Sequence, residues 1–404
     1  MAVDLGVMCP TCGVWTRVMD QAAVEALTAG LSALVERGEA PGAIVRVEQA
    51  GRRLADVRVG YQDVASGRPL AADSLFRLYS MSKPITSVAV MILAEQGLLT
   101  LEDPASRFLP EFSDLRVYES GGVDDIKTVP VRRPPSIADL LSHTSGITYH
   151  FTGATPVHQY YRKHGVLRDT PVGRLPGDGP PARTLDELVA RIGKAPLLRQ
   201  PGEGFDYSYS TTVLGAVIER VTQRRLDAAL RALVLDPLEM TDTGFFVEDG
   251  DLTRLVTNYA ALPGGLVPIE TAESSEYRDH SRLLDGGGAL AGTAGDYMNF
   301  CRMLAEGGVF KGRRLLSDAS LEQMMVPRVR AEAPPLSVPF GYGFALGDAA
   351  TEAAGLLPTG TISWGGSAGT YFAVDPKAKA TVLLMTHVLA QPPVEVGVAM
   401  RKLA

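Results

Sequence analysis

Apolar residues along this chain keep two rhythms. Between residues 21 and 37, Val24, Leu27, Leu31, Leu34 and Val35 recur at helical spacing and predict an amphipathic helix with one core-facing stripe. After a Gly/Pro break at 38–42, the stretches 43–48 and 54–59 run or alternate apolar around a turn at Gly51, the pattern of a β-hairpin. Downstream of Pro84, Ile85, Val88, Ala89, Ile92 and Leu93 fall at offsets 0, 3, 4, 7 and 8, one face of a second helix that stops near Gly97. Helices are also predicted at 213–221 (Val213, Leu214, Val217, Ile218, Val221), at 293–306 and at 393–402. Strand patterns return at 341–346, 361–364, 370–374 and 380–387, the last two joined by the turn Asp375-Pro376-Lys377.

The middle of the chain has another character. Residues 110–285 hold long Pro/Gly-rich stretches, notably 171–181, and helices separated by turns, with few strand signals. They read as a mostly helical insertion with long loops. Strands near both ends predict one antiparallel sheet built from both chain ends and flanked by helices, an α/β plus helical fold with a helical inserted lobe. The expected division is an N-terminal extension (1–19), an α/β lobe (20–108 and 285–404) and a helical lobe (109–284), with the active site between the lobes. There is no internal repeat.

Composition narrows the classes. The chain has 404 residues, enough for a large core, with 42 Gly and 27 Pro. A net charge of -7 and a pI near 5.5, with no basic run, exclude a nucleic-acid surface. No apolar stretch reaches transmembrane length. The first twenty residues carry Asp4 and lack a signal-peptide pattern, so a cytoplasmic location is expected. Cys9-Pro10-Thr11-Cys12 has redox or half-zinc spacing, but no second pair or histidine pair follows, and Cys301 stands apart. Histidines 143, 150, 158, 164, 280 and 387 show no i, i+4 metal spacing, so neither metal nor cofactor is expected. No motif speaks to oligomeric state.

The candidate chemistry begins at Ser80-Met81-Ser82-Lys83, at the start of the second helix. Ser80 and Lys83 are three apart and share a helix face. A serine hydroxyl needs a base to become a nucleophile, and a partly desolvated lysine one turn away can supply or relay one. The helix N-terminus adds free N–H groups and a positive dipole end where an oxyanion forms. Pro201 to Ser208 places Tyr207 in a loop before a helix, where a phenol can act as general base or relay beside a cation. The segment from Trp364 to Thr370 follows a short strand, and its glycines permit close approach of backbone to a ligand. An N–H there could pair with that of Ser80 in an oxyanion hole.

Ser80-x-x-Lys83, Tyr207-Ser208 before a helix and Trp364-Gly365-Gly366 on a late strand together resemble the serine β-lactamase and penicillin-binding-protein superfamily. More narrowly, the chain resembles the family VIII carboxylesterases, which share the class C β-lactamase fold. Leu141-Ser142-His143-Thr144-Ser145-Gly146, Gly97-Leu98 through Asp103-Pro104, and Gly286-Gly287-Gly288 before Asp296-Tyr297 support this from about residue 21 onward. The resemblance implies Ser80 as acyl-accepting nucleophile, Lys83 as its activating partner and Tyr207 as the base that passes the proton to the leaving group. It implies that the N–H of Ser367 completes an oxyanion hole with that of Ser80, and that Trp364, Gly365, Gly366 and Tyr209 contact substrate. Whether Lys83 works as a neutral base or as an ammonium beside a Tyr207 phenolate is open.

Two departures bear on substrate. Tyr209 stands where β-lactamases often carry Asn, and Trp364 stands at the lysine of Lys-Thr-Gly. An aromatic there removes a cation that would hold a substrate carboxylate, which favours neutral, apolar esters with short acyl chains. The competing readings are a β-lactamase or D-aminopeptidase, an acyltransferase, and a catalytically silent penicillin-binding-like module. Gly365-Gly366-Ser367-Ala368-Gly369 also matches G-x-S-x-G, with Asp375 and His387 following. That motif must turn from strand into helix, whereas 370–374 reads as a strand running into a tight turn, so the elbow reading fails.

Overall fold

A computed structural model describes residues 20–169, 175–330 and 338–389. Its centre is a seven-stranded antiparallel sheet in the order Ala345–Leu346, Ile362–Gly365, Tyr371–Asp375, Ala380–Thr386, Gly42–Gln49, Arg52–Asp63, Arg68–Pro69. The two chain ends meet in the middle of this sheet, where Ala43 pairs with Thr386 and Gln49 with Ala380. Alternation along the central strands divides their side chains between two cores. Val45, Val47, Val382 and Leu384 pack under the N-terminal helix Gln21–Glu36 through its Leu27, Leu31 and Leu34. Ile44, Leu383 and Met385 face the other way, into the larger core.

That larger core holds helix Ser82–Glu95, which is buried from Ser82 to Leu93, and helix Ala294–Ala305. It continues without a break into the inserted segment, through Leu185, Leu188, Val213 and Val217, so both parts of the expected division share one core. Strand Leu75–Arg77 pairs with Ala291–Thr293 and brings the chain on either side of the insertion together beside helix Ser82–Glu95.

Several expectations need correction. The inserted segment, where strand signals are few, also holds short paired strands. Arg116–Ser120 pairs with Lys127–Pro130, and Asn258–Leu262 pairs with Gly265–Glu270 and, in parallel, with Val388–Leu389. These strands are short and largely exposed, so they lack the apolar alternation that marks a strand in sequence. The stretch 341–346 is extended only at Ala345–Leu346. The second helix begins at Ser82, and Ser80 sits in a 3₁₀ turn, Tyr79–Met81. The tail 1–19 with Cys9 and Cys12, and the helix expected at 393–402, lie outside the described residues. No described helix is long and apolar enough to cross a membrane.

Candidate active site

The chain enters the site from strand Leu75–Arg77 through a turn that is tied down on all sides. The Leu78 N–H donates to the Leu290 carbonyl (2.9 Å), and Met81 N–H closes the turn onto the Leu78 carbonyl (3.0 Å). Tyr79 takes a left-handed φ of +45°, rare for a non-glycine residue, while its hydroxyl accepts from Asn258 Nδ2 (2.8 Å). From helix Ala294–Ala305, Tyr297 donates its hydroxyl proton to the Met81 carbonyl (2.9 Å). Ser80 is thereby presented at the N-terminus of helix Ser82–Glu95, whose third residue, Pro84, needs no N–H partner.

Ser80 Oγ has two partners. The Tyr207 hydroxyl donates to it at 2.7 Å, and Lys83 Nζ lies 3.3 Å away. Lys83 is 1% exposed. Its Nζ also donates to the Gly287 carbonyl (2.6 Å) and lies 4.7 Å from the Tyr207 ring centre and 5.4 Å from that of Tyr149. The buried Lys83 amine is thus held by one carbonyl and lies against two aromatic rings.

Tyr207 reaches Ser80 from the loop before helix Ser210–Thr222. The loop is clamped to the turn 142–146 by Asp206 N–H on the His143 carbonyl (2.8 Å) and Gly202 N–H on the Thr144 carbonyl (2.7 Å). A run of buried hydroxyls reinforces it: His143 Nδ1 to Ser208 Oγ at 3.0 Å, then Ser208 to Ser210 and Ser210 to Ser145, each 2.8 Å. His143 has φ +56° and its ring lies 5.0 Å from that of Tyr207. Burial, and then the Lys83 charge, hold the His143 imidazole well below its ordinary pKa, so it is neutral.

Trp364 stands half-buried on strand Ile362–Gly365, 5.6 Å from the Tyr207 ring and 5.1 Å from Phe340. That strand packs against the nucleophile's turn. A Cβ on Gly366 would meet the Leu78 carbonyl oxygen at 2.4 Å, so only glycine permits this approach. Ser367 is exposed in the turn that follows. Sequence reasoning placed Tyr209 against substrate, but it is 1% exposed, its hydroxyl bonded to His150 Nδ1 (2.9 Å) and its ring set edge-on to Tyr149 (4.4 Å). It supports Tyr149 from behind, because burying its phenol on His150 leaves no face for a ligand.

Tyr149, Phe340 and the Gly287 carbonyl were not singled out from sequence. Tyr149 follows the 141–146 motif by three residues, and Gly287 lies in the glycine run, so their positions were marked though their roles were not. The G-x-S-x-G alternative does not assemble. Ser367 leads into strand Tyr371–Asp375, Asp375 accepts from Lys377 and Ala378 N–H in its own turn, and buried His387 pairs with the Thr257 carbonyl (2.7 Å). Among the described residues no group of three or more His, Cys, Asp or Glu side chains is placed to hold a metal ion.

Similarity to known proteins agrees with this architecture. The sequence profile of the family described as Beta-lactamase matches residues 27–403. Protein Rv1367c of Mycobacterium tuberculosis is 34% identical over 370 residues, 88% of each chain. Esterase EstB of Burkholderia gladioli is 33% identical over 364 residues, 86% of each chain. The solved structure of EstCE1, titled a hydrolase with promiscuous acyltransferase activity, superposes with a TM-score of 0.78 at 28% identity, covering 94% of this chain and 98% of that one. The chain belongs to the β-lactamase family, in its branch of family VIII esterases.

Proposed function

We propose that this protein hydrolyses carboxylic esters, short acyl chains preferred, through an acyl-enzyme on Ser80. The observation that carries the reading is the convergence of Tyr207 and Lys83 on one serine oxygen, at 2.7 and 3.3 Å. In the first half-reaction the Ser80 proton leaves toward Tyr207 or Lys83 as Oγ attacks the ester carbonyl, and Tyr207 delivers it to the departing alkoxide. Water then enters, gives a proton to the same pair as its oxygen attacks the acyl carbon, and the pair returns a proton to Ser80 Oγ as the bond from Oγ to the acyl group breaks and the acid leaves. The N–H groups of Ser80 and Ser367 bind the oxyanion in both steps. The site lies between an α/β lobe (20–108 and 285–404) and the inserted lobe (109–284).

Trp364 supports the choice of ester over β-lactam. It offers an apolar face beside Tyr207 and no cation for a carboxylate. A ladder of p-nitrophenyl esters run beside nitrocefin tests this. Higher kcat/KM for the butyrate than for nitrocefin is expected, and equal or higher values for nitrocefin would replace the ester reading with a β-lactamase. A second reading, acyl transfer to an alcohol, is favoured by the likeness to EstCE1. Added alcohol should then yield a new ester at the expense of free acid, and hydrolysis unaffected by alcohol would remove it.

A further inference from the structure

One buried carboxylate beside the site takes no part in the reaction just described. Asp285 is 2% exposed, and it opens the run Asp285-Gly286-Gly287-Gly288. Its Oδ1 accepts from Thr212 Oγ1 (2.6 Å) and from the Gly287 N–H (2.7 Å), and its Oδ2 pairs with Arg168 Nε (3.2 Å). Its own main-chain carbonyl accepts from the Gly288 N–H (3.0 Å). Two consecutive peptide groups, 286–287 and 287–288, are therefore pinned by one residue.

Both peptides aim their carbonyls at the nucleophile helix. Gly286 O takes the Thr86 hydroxyl (2.8 Å) and Gly287 O takes Lys83 Nζ (2.6 Å), one helical turn apart. The glycines are required by this close approach. A Cβ at Gly286 would lie 3.0 Å from Thr86 Oγ1, and one at Gly287 would lie 2.9 Å from both Asp285 Oδ1 and Thr212 Oγ1. The contact between Lys83 and Gly287 is shorter than that between Lys83 and Ser80, so the carbonyl sets where Nζ sits.

We propose that Asp285 is a positioning residue for Lys83, acting through the two consecutive peptides of the Gly286-Gly287-Gly288 run, with Thr212 and Arg168 holding its carboxylate in place. The proposal rests on the reading of Lys83 as the activating partner of Ser80. Without the carboxylate the Gly287 N–H loses its acceptor and the glycine between the two peptides can rotate, so the next peptide, which carries the Gly287 carbonyl, is held by the Asp285 main-chain carbonyl alone and fixes Nζ less closely against Ser80. The other groups facing Lys83 are the Tyr149 and Tyr207 rings, the Ser80 hydroxyl and neutral His143. None of them replaces an aligned carbonyl as an acceptor for Lys83 Nζ.

The test combines active-site titration with a pH profile. In Asp285→Ala, kcat per fluorophosphonate-titrated site should fall about 10- to 100-fold with KM nearly unchanged, the scale expected for a misplaced catalytic group. Misplacing a group that passes the Ser80 proton should also change the shape of the pH–rate profile of kcat per site. Asp285→Asn, which keeps an acceptor for the Gly287 N–H, should recover most of the lost kcat. A merely structural role would lower the melting temperature and the titrated fraction but leave kcat per site and the pH profile as in wild type, and that result overturns the proposal. Should Asp285→Ala fail to accumulate, Thr212→Val and Arg168→Gln, each removing one partner of the carboxylate, are read by the same criteria. A Lys83→Ala variant as active as wild type would instead strike the reading of the site itself, and the proposal with it.

Discussion

At the residue scale, both Lys83 and Tyr207 meet the Ser80 oxygen and Lys83 lies over the Tyr207 ring, so the proposed mechanism treats the three as one proton-transfer unit. Lys83→Ala and Tyr207→Phe should each lower kcat at least about 10²-fold, and the double variant should be far less than multiplicatively worse. Steady-state kinetics of the four proteins check this, and strictly multiplicative losses would make Tyr207 a packing residue. Trp364→Lys should weaken hydrolysis of p-nitrophenyl butyrate and improve binding of carboxylate-bearing β-lactams, measured as competitive inhibition. These residues were legible in sequence because each sits in a short motif with its own local chemistry. Tyr149, Phe340 and Asp285 were not, since their roles depend on contacts that bridge distant segments, such as Asp285 with Thr212 and Arg168. Tyr209 was misjudged for the same reason: only the fold reveals that His150 lies behind it.

At the scale of elements, the site depends on how closely strand Ile362–Gly365 approaches the turn Tyr79–Met81. Gly366→Ala would force a methyl to 2.3 Å from Thr370 Oγ1 and 2.4 Å from the Leu78 carbonyl oxygen. Activity should drop at least about 10-fold as the strand shifts from the nucleophile, with a smaller effect on melting. Gly30→Ala is the contrasting case. Gly30 lies inside helix Gln21–Glu36 with nothing within 4 Å of the new methyl, so the variant should be about 0.5–1 kcal/mol more stable and equally active. Urea denaturation with parallel assays separates the two. The amphipathic helices and the buried central strands were visible in sequence because their periodicity is imposed by the core. The hairpins within 109–284 were not, because their faces are largely solvated. The 3₁₀ turn under Ser80 escaped notice because its shape comes from tertiary ties at Leu78, Tyr79 and Met81.

For the whole molecule, one core joins the sheet to the inserted segment, and several histidines are sealed inside it. Burial pushes His150 and His387 down to about 4 and His143 well below its ordinary value. Unfolded histidines take up protons near pH 6.5, while folded His150 and His387 do not until about pH 4, so between those values the unfolded chain binds more protons. Stability is therefore unaffected by them above about pH 6.5 and falls as the pH drops toward 4, by up to about 1.4 kcal/mol per pH unit for each histidine. The urea midpoint at pH 5 should lie clearly below that at pH 7, and equal midpoints would contradict the burial of neutral imidazoles. That both chain ends build one sheet was legible from the strand patterns, but the shared core was not, because it joins residues as far apart as Ile44 and Val217. The central claim, an acyl-enzyme on Ser80, is tested most directly by mass spectrometry of the protein quenched during turnover of p-nitrophenyl butyrate. The account predicts a butyryl adduct on the peptide containing Ser80, enriched in Tyr207→Phe and missing from Ser80→Ala. An adduct on the peptide containing Ser367, or full turnover by Ser80→Ala, would contradict it.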